Sequence, residues 1–230
     1  AQQGERADLR ATELSKADLS GVDLHGARLQ ESDLIGTDLS GADLRCANLR
    51  EADLREADLT GTNLTGANLR HTNLNKVSLT GAILSKARLT RTDLREAKLR
   101  KAKLAKADLT GADLTRADLS ESRLPRVRLT EADLREARLH KAHLTDADLQ
   151  GAKLQRADLT GASLEGTKLR GATLQEAVLT GVNLTNADLS KADLTGADLT
   201  DARLTGADLT GADLSRAILT GADFTGSRGT

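Results

Sequence analysis

Residues 107–111 read Ala107-Asp108-Leu109-Thr110-Gly111, and the unit they form (a small residue, Asp or Asn, Leu, Ser or Thr, then Gly) decides how the whole chain folds. Leucine holds every fifth position from Leu9 to Leu219 and Phe224 takes the next, giving 44 consecutive units without an insertion or deletion. The position before the leucine is Asp in 21 of the 44 units and Asn in five, and the position after it is Ser or Thr in 24. Most leucines are therefore bracketed by polar residues, with a small residue two places before and most often Gly, Lys, Arg or Glu two places after.

A helix collects a buried stripe at spacings of three and four, whereas a five-residue step carries successive leucines about 140° around it, so no single face gathers them. A long flat strand needs strict alternation, which a period of five breaks once per unit. What fits is a short extended segment whose small residue and leucine both point inward, followed by two outward residues that turn a corner. Gly, Asp, Asn, Ser and Thr suit such corners because they tolerate unusual dihedrals or bond back to the local backbone. A chain that turns the same way every five residues winds into a solenoid whose coils stack roughly 4.8 Å apart.

Stretches such as Gly41-Ala42-Asp43-Leu44-Arg45 and Gly196-Ala197-Asp198-Leu199-Thr200 carry the resemblance: the chain resembles the pentapeptide-repeat family over residues 7–225. The resemblance implies an all-β fold, a right-handed quadrilateral parallel β-helix with four units per coil, and hence about eleven coils and a rod roughly 50 Å long. The residues alone hint at four sides. Stepping by 20 from Ser20, nine of eleven residues carry a hydroxyl, against 15 of the other 33 equivalent positions. The expected organisation is a tail at 1–6, a single β-helical domain at 7–225 and a tail at 226–230. The terminal coils of such a rod expose strand edges and leucines, which predicts either end-to-end association or a chain cut from something longer.

Overall charge is balanced, with 33 bases against 34 acids, but its distribution is not even. Residues 1–80 carry 9 bases and 13 acids, residues 81–140 carry 15 and 9, and residues 141–230 carry 9 and 12. With four units per coil, Lys86, Lys101, Lys103, Lys106, Arg123, Arg126 and Lys141 fall on one side of the middle, making it the candidate partner-binding patch. Its plain alternative is a solvated surface, since outward positions accept almost any polar residue. Without Trp or Tyr and with one Phe, the chain lacks the stacking platform of single-strand binders, so direct nucleic-acid binding is not expected.

No catalytic constellation emerges. His140 and His143 sit in neighbouring units around a corner, too few for a zinc site, and no phosphate loop or nucleophile elbow appears, so neither a metal nor a cofactor is expected. Aspartates in line, such as Asp18, Asp38 and Asp58, read as repeat residues rather than an acid/base pair. The lone Cys46, at an outward corner, fits a reducing compartment, and no apolar run reaches membrane-spanning length, so a cytoplasmic protein is expected. The reading is a non-enzymatic structural or protein-interaction rod with an unidentified protein partner.

The family resemblance implies one alternative. Some pentapeptide-repeat proteins protect DNA gyrase and topoisomerase IV by imitating duplex DNA, and a rod lined with Asp could imitate phosphates. Ten positions that the repeat reserves for Asp or Asn carry Lys or Arg instead (Arg28, Arg88, Lys98, Lys103, Arg123, Arg128, Arg138, Lys153, Lys168 and Arg203). The expectation is that a continuous anionic surface is lost at mid-rod.

Overall fold

A computed structural model describes residues 6–229. The residue before each leucine pairs in parallel with the residue 20 positions on, from Asp8↔Arg28 to Asp208↔Arg228, so four five-residue sides close each coil. Face 1 carries the pairing residues from Asp8 to Arg228, face 2 those from Glu13 to Asp213, face 3 those from Asp18 to Ile218 and face 4 those from Asp23 to Asp223. Each side contributes a single bridging residue rather than a strand, because the chain must bend again three residues later.

The backbone hydrogen bonds of one side account for this economy. In the side around Leu109, the Leu109 N–H donates to the Arg128 carbonyl of the next coil at 2.8 Å and the Gly111 N–H to Thr130 at 3.0 Å. The Asp108 N–H reaches back to the Ala87 carbonyl and the Ala112 N–H closes the corner onto Leu109, both at 3.0 Å. Four of five N–H groups are thereby satisfied. The fifth, on the residue after leucine, is left to the side chain two places before it: Thr110 N–H donates to Asp108 Oδ1 at 3.1 Å.

That arrangement is general. All 26 Asp and Asn side chains at this position accept the N–H two residues on, at 2.8–3.5 Å. The preference for Asp or Asn is thus a local backbone requirement, an Asx turn repeated along the rod. Stacked carboxylates such as Asp18, Asp38 and Asp58 each hold a donor of their own, which offsets their mutual repulsion.

Every leucine from Leu29 to Leu209 is at most 1% exposed, and the small residues two before them fill the remaining interior. Where that small residue is Ser or Thr, its hydroxyl finds a leucine carbonyl, as Thr92 Oγ1 does with Leu69 at 2.7 Å and Ser122 Oγ with Leu119 at 2.5 Å. Leucine carbonyls accept only the corner N–H from the backbone and so have a lone pair to spare. All 44 corner residues, 26 of them not glycine, adopt left-handed φ between +49° at Ala11 and +71° at Gly211. Glycine takes that conformation without strain, whereas Lys, Arg and Glu corners carry a cost of about 1–2 kcal/mol each. From Ala11 to Gly206 the inter-coil bond made by the corner residue's own N–H holds them there.

Residues 226–228, expected as a tail, continue the coil: the Arg228 N–H donates to the Ala207 carbonyl and Leu209 N–H to the Arg228 carbonyl, at 2.9 and 2.8 Å. The same ladder that builds the middle of the rod simply extends to this point. Of the expected tail 1–6, residues 1–5 lie outside the described residues and Arg6 is exposed. At the two ends Leu9, Leu14, Leu19 and Leu214 are half-buried and Leu219 is 40% exposed.

Bonds to hydroxyl and backbone donors hold several of these carboxyls below the usual carboxylate range: the Ser20, Thr200 and Thr210 hydroxyls, then their N–H groups, stabilise ionised Asp18, Asp198 and Asp208. Because the folded-state values lie below those of the unfolded chain, the added stability is complete above about pH 4 and disappears as pH falls through the depressed values. Melting followed by circular dichroism is expected to show constant stability from pH 7 to about pH 5 and a steady fall below about pH 4. A Tm independent of pH down to about pH 2 would contradict the capping role.

Candidate partner-binding face

The 20-residue coil sorts the seven candidate cations onto one face and its two borders. Lys103 and Arg123 sit on face 4, where they pair with each other along the backbone and are followed by His143. Lys101 and Lys141 occupy the corner before that face, and Lys86, Lys106 and Arg126 the corner after it, all with left-handed φ. All seven side chains are exposed. Lys101, Glu121, Lys141, Lys103, Arg123 and His143 border a shallow open depression.

These cations are poorly compensated. Lys101 Nζ lies 3.6 Å from Glu121, which Arg100 also holds, at 2.5 Å, and Arg126 lies 3.5 Å from Asp146. Lys86, Lys103, Lys106, Arg123 and Lys141 have no carboxylate within ion-pair distance among the described residues. Stacking Lys103 on Arg123 at one coil spacing costs roughly 1 kcal/mol of repulsion in water.

The corner between faces 2 and 3 behaves in the opposite way. Its residues alternate in sign through Glu56, Lys76, Glu96, Arg116, Glu136, Arg156 and Glu176, and the Arg116–Glu136 and Arg156–Glu176 pairs close at 2.8 Å. These exposed pairs contribute less than about 1 kcal/mol each, yet they leave little free charge.

Charge on face 2 departs from expectation. Of the ten Lys and Arg residues that replace Asp or Asn, only Lys153 falls on face 2, so an acidic column runs there through Glu13, Asp33, Asp53, Asn73, Asp93, Asp113 and Asp133. The anionic column is therefore not lost at mid-rod; linear charge counting mixes four faces that the coil separates. It is nonetheless answered on the spot, because Arg55, Arg95 and Arg135 pair with Asp53, Asp93 and Asp133 at 2.6–2.7 Å.

Two features escape a linear reading. Residues 86–106, one turn and the residue that closes it, hold nine bases against Asp93 and Glu96, so Arg88 and Arg91 carry the cationic surface on to face 1; a 20-residue charge window would have found them. Within face 4, moreover, the position after leucine holds Ala105 and Pro125 in adjacent coils, joined by Lys86 N–H to Ala105 and Lys106 N–H to Pro125, both at 3.0 Å. His140 lies on face 3 and His143 on face 4, and no cluster of metal-ligating side chains occurs among the described residues. Cys46 is an exposed free thiol at a corner. No described helix is long and apolar enough to cross a membrane.

Comparison with known proteins places the chain among repeats of this kind. The family profile described as pentapeptide repeats matches in eight copies that together run from residue 5 to residue 228. Among solved structures, a trypsin-treated variant of QnrB1, a plasmid-mediated fluoroquinolone resistance protein, is 22% identical over 73% of this chain and 82% of its own, with a TM-score of 0.62. HetL, a pentapeptide repeat protein involved in heterocyst differentiation regulation from the cyanobacterium Nostoc sp. strain PCC 7120, is 34% identical over 100% of this chain and 93% of its own, with a TM-score of 0.31. No curated protein matches.

Proposed function

The chain belongs to the pentapeptide-repeat family, whose fold is the right-handed β-helix, and from that premise we propose that it is a non-enzymatic interaction rod binding an acidic protein partner through face 4. The observation that carries this reading is the clustering of seven cations on mid-rod face 4 and its two corners. Lys86, Lys103, Lys106, Arg123 and Lys141 stand together with no carboxylate within ion-pair distance among the described residues and only Glu121 beside them, whereas Arg116, Arg135 and Arg156 each hold a carboxylate. Such a field raises the local concentration of an anionic partner and speeds its capture. We place the protein in the cytoplasm, where the exposed Cys46 thiol would stay reduced.

The topoisomerase reading draws less support. Duplex DNA presents a charge every ~1.7 Å of axis, and a partly neutralised carboxylate every ~4.8 Å is a sparse imitation of it. Polyglutamate is expected to bind the wild-type rod with an affinity that falls as salt rises, and the variant carrying Lys101, Lys103, Lys106, Arg123 and Arg126 all changed to Glu is expected to lose binding by tenfold or more with its β-type circular dichroism intact. Unchanged affinity in that variant would overturn the assignment. Inhibition of gyrase supercoiling at low micromolar rod would instead favour the anionic column of face 2.

A further inference from the structure

We infer that the occupant of face 4 is an extended acidic segment of a protein that also carries apolar side chains, laid along the strip of Ala105 and Pro125 between two rows of cations. This rests on the cationic-face reading above and makes it more specific. The strip is the column Ser85, Ala105, Pro125 and Thr145. On one side runs the row Lys103, Arg123 and His143, and on the other the corner row Lys86, Lys106 and Arg126.

Three observations point to a peptide rather than a bare polyanion. Of the 44 positions after leucine, only Ile35, Ala105 and Pro125 are apolar, and two of these are stacked inside the cationic belt. Ile83 pairs with Lys103 at the foot of the row, which places one more apolar side chain beside the strip. The two units also abandon the local rule that governs most of the rod: with Lys103 and Arg123 in place of Asp or Asn, no carboxylate is there to accept the next N–H but one. Pro125 has no such N–H, so proline enters there without orphaning a donor. On face 4 the rule is broken in five successive coils, from Ile83 through Lys103, Arg123 and His143 to Ser163, against at most two in succession on any other face, and such a run of departures from a local structural rule marks a site kept for binding. The half-buried Ala105 and Pro125 present a low floor, and the long Lys and Arg stems around them can lie along apolar surface while their charges reach carboxylates. Phosphate chains and nucleic acids would use the cations and leave the floor idle.

The test compares dye-labelled synthetic peptides of equal length and charge, one alternating Glu with Leu and one alternating Glu with Ser, by fluorescence anisotropy at low salt. Wild type is expected to bind the Glu-Leu peptide on the order of tenfold tighter than Glu-Ser. The double variant Ala105→Thr with Pro125→Thr installs the residue common elsewhere in this position, and should erase that preference while leaving Glu-Ser binding unchanged. Lys103→Glu with Arg123→Glu should weaken both peptides by tenfold or more. Equal affinity of wild type for the two peptides overturns the inference, as does a preference that survives the threonine variant. Tighter binding of oligothymidylate or phosphatidylserine vesicles than of the Glu-Leu peptide overturns it as well. If Glu-Ser and Glu-Leu bind alike and both depend on Lys103 and Arg123, the cationic face stands and only the apolar strip fails; if neither binds, both readings fail.

Discussion

Replacing Leu104 by aspartate is expected to cost at least about 4–5 kcal/mol and to lower Tm by about 10 °C or more, with loss of β-type circular dichroism in the middle of the rod. Leu104 is fully buried beneath the candidate face, in an interior column whose neighbours are Leu84 and Leu124 one coil below and above. The N–H groups of Lys103, Leu104 and Lys106 are spent on inter-coil bonds and that of Ala107 on the Leu104 carbonyl, so a carboxylate in that column would be buried without a partner. Each coil touches only its neighbours, and a defect in the middle therefore separates two stacks that must then hold on their own. The adjacent substitution provides the contrast: Lys103→Asp, one residue away but exposed, should leave stability unchanged or raise it, since the new carboxylate can accept the Ala105 N–H as Asp108 accepts that of Thr110. An unchanged melting temperature for Leu104→Asp would refute the inward placement of the leucine columns.

Proline discriminates between adjacent corner positions with nearly as large an effect. Lys106→Pro is expected to destabilise by about 3 kcal/mol or more: the residue holds φ +59° and its N–H donates to the Pro125 carbonyl at 3.0 Å, whereas proline fixes φ near −65° and has no N–H. Ala105→Pro, one residue earlier, should be neutral or stabilising by up to about 1 kcal/mol. It reproduces the Leu124-Pro125-Arg126 corner of the next coil and removes an N–H that no side chain accepts. Thermal melts of the two variants measure the difference directly, and equal losses would contradict the division of labour among the five N–H groups of each side.

Much of the architecture was legible in the repeat. The inward leucine, the small residue two before it and the turning corner all follow from a five-residue period, and the structure places them there from Leu29 to Leu209. The role of Asp and Asn was legible only as turn chemistry in general. That the side chain serves the one N–H left over by the ladder, as Asp118 serves Ser120 at 3.0 Å, emerges when the other four bonds are drawn. The cationic patch was legible as a list, because a 20-residue step brings Lys103 to Arg123. The shortage of counter-charges around Lys103 and Arg123, the survival of an acidic column on face 2 and the Ala105–Pro125 floor were not.

By itself, the amino-acid order determined that this protein is a solenoid filled with leucine: no helix or flat strand buries a residue at every fifth position while leaving two charged neighbours wet. How many sides close a coil, and so which charges meet, was decided by the tertiary structure alone. The bend at each corner is set by left-handed backbone and inter-coil hydrogen bonds, and a period of five is compatible with coils of different side number. Once four sides close at 20 residues, residues far apart in the chain become neighbours at about 4.8 Å, and only then do face 4 and face 2 acquire their opposite characters.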